Sequence, residues 1–237
     1  MRPDDSGSTD DVTERLTEIR SRITAACRRS DRDPSSVTLV GASKVQPVAR
    51  LQAAWDAGLR VFGENRVQEA RDKQPRLPAA AEWHLIGPLQ SNKARLAVSL
   101  FTVFHAVDRL KIGRVLDREA TRQDRPPAVF LEVNLGAETT KHGFAPDALP
   151  DAAVEFAGLE HLRLVGLMAI PPQEDDEDRA RTWFRRLREL RDELRRRLPG
   201  DSFPGWLSMG MSHDFEIAIE EGATHVRVGT ALFGPRG

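Results

Sequence analysis

Eight times along this chain a short apolar run gives way to an amphipathic stretch, and that alternation constrains the fold more than any other property of the sequence. The runs cover residues 37–43, 61–62, 83–86, 102–107, 128–135, 164–170, 206–209 and 225–228. Between them lie segments with helical apolar spacing, such as residues 48–57, ended by Gly58, and 215–221, ended by Gly222. A glycine in that place supplies the left-handed residue that closes a helix. Strand then helix, repeated, requires a parallel sheet, and eight repeats let the sheet close on itself. The expected fold is α/β, a single (β/α)8 TIM barrel, and 237 residues suit one such barrel. A doubly wound open sheet would need fewer strands and a glycine-rich turn after the first, which Gly41-Ala42-Ser43-Lys44 does not supply.

Upstream of the first run, Val12, Leu16, Ile19, Ile23 and Ala26 recur at helical spacing, with Asp10 and Asp11 suited to the positive end of a helix dipole. An extra N-terminal helix therefore precedes the barrel. Residues 1–9 are polar and read as a disordered tail before a domain spanning 10–237. The stretch 174–198 is rich in arginine, yet Phe184, Leu187, Leu190, Leu194 and Leu198 form a stripe along it. Its arginines are then the wet face of a barrel helix rather than a nucleic-acid arm. Lys+Arg 35 against Asp+Glu 36 leaves no global field to attract nucleic acid or a membrane surface. The single cysteine, Cys27, excludes an internal disulfide and fits a reducing compartment. No run is long enough to span a membrane, and residues 1–11 lack the apolar core of a signal peptide, so the expected location is the cytoplasm.

Barrels keep their chemistry where strands end and loops begin. Lys44 stands there after the first run, and closure of the barrel brings it beside the last strand. Arg227 lies between Val226 and Val228; if those two face outward, its guanidinium enters the interior and needs a carboxylate or a ligand atom as partner. Small residues follow the seventh and eighth runs, Gly210-Met211-Ser212 and Gly229-Thr230, where barrels commonly bind phosphate. Ser212 is expected to cap a helix starting near His213, and Gly229 to let the backbone approach an anion. An amine in a partly desolvated site beside a cation can attack a carbonyl, so a phosphorylated aldehyde or ketone is the ligand class indicated. Asn65, Asn92 and Lys93 also follow strands. His84, between Trp83 and Leu85, is either a hydrogen-bonded core residue or a ligand contact. The six histidines show no metal-ligand spacing.

The segments Gly41-Ala42-Ser43-Lys44, Phe62-Gly63-Glu64-Asn65, Trp83-His84-Leu85-Ile86-Gly87-Pro88-Leu89-Gln90-Ser91-Asn92-Lys93, Gly166-Leu167-Met168-Ala169-Ile170, Ser208-Met209-Gly210-Met211-Ser212 and Arg227-Val228-Gly229-Thr230 together resemble the pyridoxal phosphate homeostasis proteins. The resemblance runs from about residue 12 to the C-terminus. It implies a barrel like the N-terminal domain of alanine racemase that binds pyridoxal 5'-phosphate (PLP). Lys44 would be the Schiff-base lysine. Ser212, Gly229 and Thr230 would hold the phosphate, Arg227 would face the pyridine nitrogen, and Asn65 and Met211 would line the cofactor. Lys141 matches a second family lysine concerned with cofactor handling. Many members carry a lysine two residues after the Schiff-base lysine, and here that position is Gln46.

Two functions follow from this resemblance: a carrier that holds PLP without turnover, and a PLP-dependent amino-acid racemase. An arginine at the pyridine nitrogen weakens the ring as an electron sink, a feature that alanine racemase shares. Racemases of that fold, however, use a tyrosine as second acid/base and a second, β-rich domain. This chain contains no tyrosine and ends shortly after its eighth run. The carrier is therefore the expected function, as a monomer with PLP-dependent apo-enzymes as partners. A Schiff-base aldolase acting on a sugar phosphate uses the same lysine and stands as a third reading.

Overall fold

Each of the eight apolar runs forms a strand in the computed structural model, which describes residues 7–123, 126–136, 142–172, 174, 176–198 and 203–234. The strands are β1 (Thr38–Ala42), β2 (Val61–Glu64), β3 (Glu82–Leu85), β4 (Val103–Val107), β5 (Ala128–Glu132), β6 (Arg163–Met168), β7 (Trp206–Ser208) and β8 (His225–Val228). They pair in parallel in chain order, and β8 returns to β1 with Val40 opposite Arg227, closing the barrel. The helices are α1 (Gly7–Arg29), α2 (Val48–Asp56), α3 (Val67–Lys73), α4 (Ala94–Leu100), α5 (Leu110–Ala120), α6 (Leu149–Ala157), α7 (Glu177–Arg197), α8 (Phe215–Glu220) and α9 (Thr230–Phe233).

Alternate strand residues build two separate cores. Phe62, Leu85, Leu131, Leu167, Leu207 and Val226 face the helices, while Val103, Ala106, Ala128, Phe130, Val165, Met168 and Trp206 fill the barrel lumen. A register shift in β4 between Phe104 and Val107 explains how Val103 and Ala106, three apart, both point inward.

The last helix, α9, has only four residues, too few to cover the seam between β8 and β1. Helix α1 covers it instead, packing on α2, α8 and α9 through Val12, Leu16, Ile19 and Ile23. Arg20 donates to the carbonyls of Ala57 and Gly58, which end α2, at 3.0 and 2.7 Å, and Arg22 pairs with Glu216 of α8 at 2.7 Å. The helix begins at Gly7, so Gly7, Ser8 and Thr9 belong to it and not to a tail; residues 1–6 lie outside the described residues. Acidic residues just after them favour a helix start.

In α7 the buried stripe is Ala180, Phe184, Leu187, Leu190 and Leu194. Most arginines on the opposite face are wet, several paired to Glu220 and Glu221. Arg191 departs from that pattern: its side chain is only 12 % exposed and donates to the Gly205 carbonyl at 2.9 Å. No helix among the described residues is long and apolar enough to cross a membrane.

Candidate functional site

Strand β1 ends in a tight turn, Ser43-Lys44-Val45-Gln46, closed by the Gln46 N–H donating to the Ser43 carbonyl at 3.1 Å. Val45 takes φ 56° there, a left-handed conformation that costs a β-branched residue on the order of 1–3 kcal/mol and persists only where neighbours impose it. The neighbours are a buried charge cluster beneath the turn. Lys73 of α3 donates to the Ser43 carbonyl at 2.8 Å and pairs with Glu64 at 2.6 Å and Glu69 at 3.4 Å. The Ser43 hydroxyl donates to the same Glu64 oxygen at 2.7 Å, and Glu69 accepts the Val45 N–H at 2.9 Å. Burial pushes the Glu64 carboxyl up from its ordinary range, with Lys73 and Ser43 pulling it back. Lys44 is half-buried in this clamped turn, and Gln46 is buried behind it.

Arg227 does enter the lumen, at 4 % exposure. No carboxylate among the described residues lies within ion-pair distance of it; it donates to the Ser208 hydroxyl at 2.5 Å and to the Ala169 carbonyl at 3.0 Å. Desolvation lowers its pKa to about 10, with Asp214 and Glu132 acting in the other direction, so it stays cationic at neutral pH.

Ser212 does not cap the helix that follows β7. That turn is held by Asp214, whose carboxylate accepts the Met211 N–H at 2.6 Å while its own N–H donates to the Met211 carbonyl at 3.2 Å. The Ser212 hydroxyl instead reaches across to β8, accepting from the N–H groups of Gly229 and Ala231 at 3.3 Å each. The two small-residue loops thus meet at the start of α9, with Thr230 exposed beside them. Gly210 makes this turn possible: its φ is +90°, and a side chain there would press on Phe215 and Ala218.

Asn65 follows β2, and its Oδ1 is buried without a hydrogen-bond partner, which a ligand donor can satisfy. Gly87, after β3, packs against it so closely that a Cβ would lie 2.7 Å from the Asn65 carbonyl oxygen. Asn92 and Lys93 lie in the one-turn helix after β3 that leads into α4. Lys141 lies outside the described residues.

His84 is a hydrogen-bonded core residue. Its Nδ1 meets His105 Nε2 at 2.9 Å, and its Nε2 meets Glu82 at 3.2 Å. Burial holds His105 well below the ordinary histidine value, and His225 is lowered to about 3 by the same cause. Both rings are therefore neutral. The Lys73 cluster and the His105–Ser208 contact were not found by sequence reasoning; polar residues inside strands at lumen positions were the available signal for the second.

A sequence model of the alanine racemase N-terminal domain matches residues 16–237. A pyridoxal phosphate homeostasis protein of Aquifex aeolicus is 43% identical over 224 residues, 94% of this chain and 97% of its own length. One from Pseudomonas aeruginosa is 45% identical over 226 residues, 95% of this chain and 96% of its own. The solved structure of PipY from Synechococcus elongatus PCC7942 with PLP bound superposes with a TM-score of 0.83 at 39% identity, covering 94% of this chain and all of that one.

Proposed function

The chain belongs to the pyridoxal phosphate homeostasis protein family, and on that premise we propose that it holds PLP as a Schiff base on Lys44 without turning over a substrate. The observation that carries this is Arg227, a buried cation with no carboxylate partner among the described residues, in the strand bonded to β1, whose following turn carries Lys44. The Ser208 hydroxyl and Ala169 carbonyl that meet this buried guanidinium do not neutralise its charge, and a pyridine nitrogen is a further acceptor it can serve. The bound cofactor supplies an aldehyde that an amine can capture with loss of water.

The chain's own residues divide the remaining work. Lys44 offers its amine at the mouth, on a turn that the Lys73 cluster keeps rigid. Ser212, Gly229 and Thr230 offer hydroxyl and N–H donors to the phosphate, with Asn65 and Met211 lining the ring. Arg227, remaining cationic, disfavours a proton on the ring nitrogen and so limits carbanion chemistry. No tyrosine is present to serve as a second acid/base. In this role the protein works as a monomer and passes PLP to apo-enzymes that require it.

Purified protein mixed with PLP is expected to show a visible absorbance band that Lys44→Ala abolishes. Absence of the band in wild type, with a sugar phosphate bound instead, would favour the aldolase. Exchange of an amino-acid α-proton for deuterium, lost in Lys44→Ala, would establish turnover and overturn the carrier role.

A further inference from the structure

The lumen holds a line of hydrogen bonds that cofactor binding leaves unexplained. It runs from Arg227 Nη1 to Ser208 Oγ at 2.5 Å, from Ser208 Oγ to His105 Nδ1 at 2.7 Å, from His105 Nε2 to His84 Nδ1 at 2.9 Å, and from His84 Nε2 to Glu82 Oε1 at 3.2 Å. Its members come from β8, β7, β4 and β3, so it crosses the interior of the barrel. Ser208, His105, His84 and Arg227 are buried, whereas the Glu82 side chain is 47 % exposed and also accepts from the Thr102 hydroxyl at 3.1 Å.

With no extra proton on the rings, the two ends fix the direction of every bond between them. A guanidinium can only donate and a carboxylate can only accept. Arg227 therefore donates to Ser208, the Ser208 hydroxyl donates to His105 Nδ1, His105 Nε2–H donates to His84 Nδ1, and His84 Nε2–H donates to Glu82. Reversing any link would turn a lone pair of His84 toward the Glu82 carboxylate unless an extra proton were added. A neutral ring at either position is then the Nε2–H tautomer, and burial against Phe130, whose ring centroid lies 4.7 Å away, favours the uncharged form of His105.

We propose that Ser208, His105, His84 and Glu82 are positioning residues that orient Arg227 toward the cofactor's ring nitrogen, a role that rests on the PLP-binding function above. The chain ends on a negative charge at the far side of the barrel, so each of its dipoles favours the guanidinium at the other end. Arg227 is thereby supported without a carboxylate close enough to draw it from a ligand.

The test has an arm that needs no cofactor. Nitrogen-15 spectra of the ligand-free protein should show, for both His84 and His105, a protonated Nε2 and an unprotonated Nδ1 at neutral pH. An Nδ1–H tautomer or a doubly protonated ring in either would overturn the chain. In the second arm, Ser208→Ala should change the His105 Nδ1 signal, shift the absorbance of bound PLP and weaken PLP binding roughly tenfold. His105→Phe, which keeps a ring on Phe130, repeats that arm if Ser208→Ala does not fold. Wild-type affinity and an unshifted band in the folded variant would refute the positioning role. Failure of the wild type to bind PLP would instead remove the cofactor assignment, leaving the tautomers as a separate result.

Discussion

Replacing Lys73 by methionine isolates the physics of the turn that carries Lys44. The substitution keeps most of the side-chain volume and removes the ammonium that meets Glu64, Glu69 and the Ser43 carbonyl. Glu64 is fully buried, and one of its oxygens already lacks a partner, so the ionised carboxylate would be left with the Ser43 hydroxyl alone. Breaking a buried pair from one side costs about 3–5 kcal/mol. Protonation caps the loss: keeping a carboxyl with an ordinary pKa near 4.3 neutral at pH 7 costs about 3.7 kcal/mol, and because burial already raises Glu64 in the wild type the difference is capped below that figure. The expected destabilisation is therefore about 3 kcal/mol, a fall in Tm of roughly 6–12 °C for a chain of this size.

The pH dependence supplies the sharper test. In the variant the folded-state pKa of Glu64 lies further above its unfolded value, because Lys73 was among the groups lowering it. A carboxyl raised in this way favours folding below the unfolded pKa and loses that contribution as pH rises toward the folded pKa. The deficit relative to wild type should consequently shrink as pH falls from 7, with a limiting slope of about 1.4 kcal/mol per unit. Urea melts at several pH values measure it, and Lys73→Met/Glu64→Gln should recover most of the loss. A deficit under about 1 kcal/mol at pH 7, or one independent of pH, would refute the buried-pair account.

Val45→Asn should stabilise the protein by roughly 1 kcal/mol, because asparagine tolerates the left-handed turn and the valine is 63 % exposed, so little burial is lost; an unchanged urea midpoint would argue against strain there. Gly87→Ala should weaken PLP binding and cost about 1–3 kcal/mol by pushing on the backbone of Asn65, measured by titration and melts together. Glu220, held below the usual carboxylate range by Arg181 and Arg29 against a desolvation that raises it, adds stability above its unfolded pKa that is lost as pH falls through the lowered value. Glu220→Gln should accordingly flatten the acid limb of the stability profile.

Much of this was legible in the residues, and what was not has a common physical origin. Eight apolar runs were enough for eight strands and a closed barrel, and closure alone placed Lys44, Arg227 and the two small-residue loops around one mouth. The errors arose where a polar side chain found its partner through tertiary contact. Strand β2 extends through Gly63 and Glu64, and the buried Glu64 carboxylate there has Lys73 beside it, a pairing across nine residues that follows no strand or helix period. Ser212 reads as a helix cap from its position, but Asp214 occupies that turn and sends the hydroxyl to the neighbouring loop. His105 sits in a strand whose register shift turns it and Ala106 both inward, so two-residue alternation cannot assign them. The partner expected for Arg227 was a carboxylate or a ligand. Within the protein its partners are a serine hydroxyl and the Ala169 carbonyl, with Glu82 reached through Ser208 and two histidines, a line across four strands that alternation along any one strand cannot reveal.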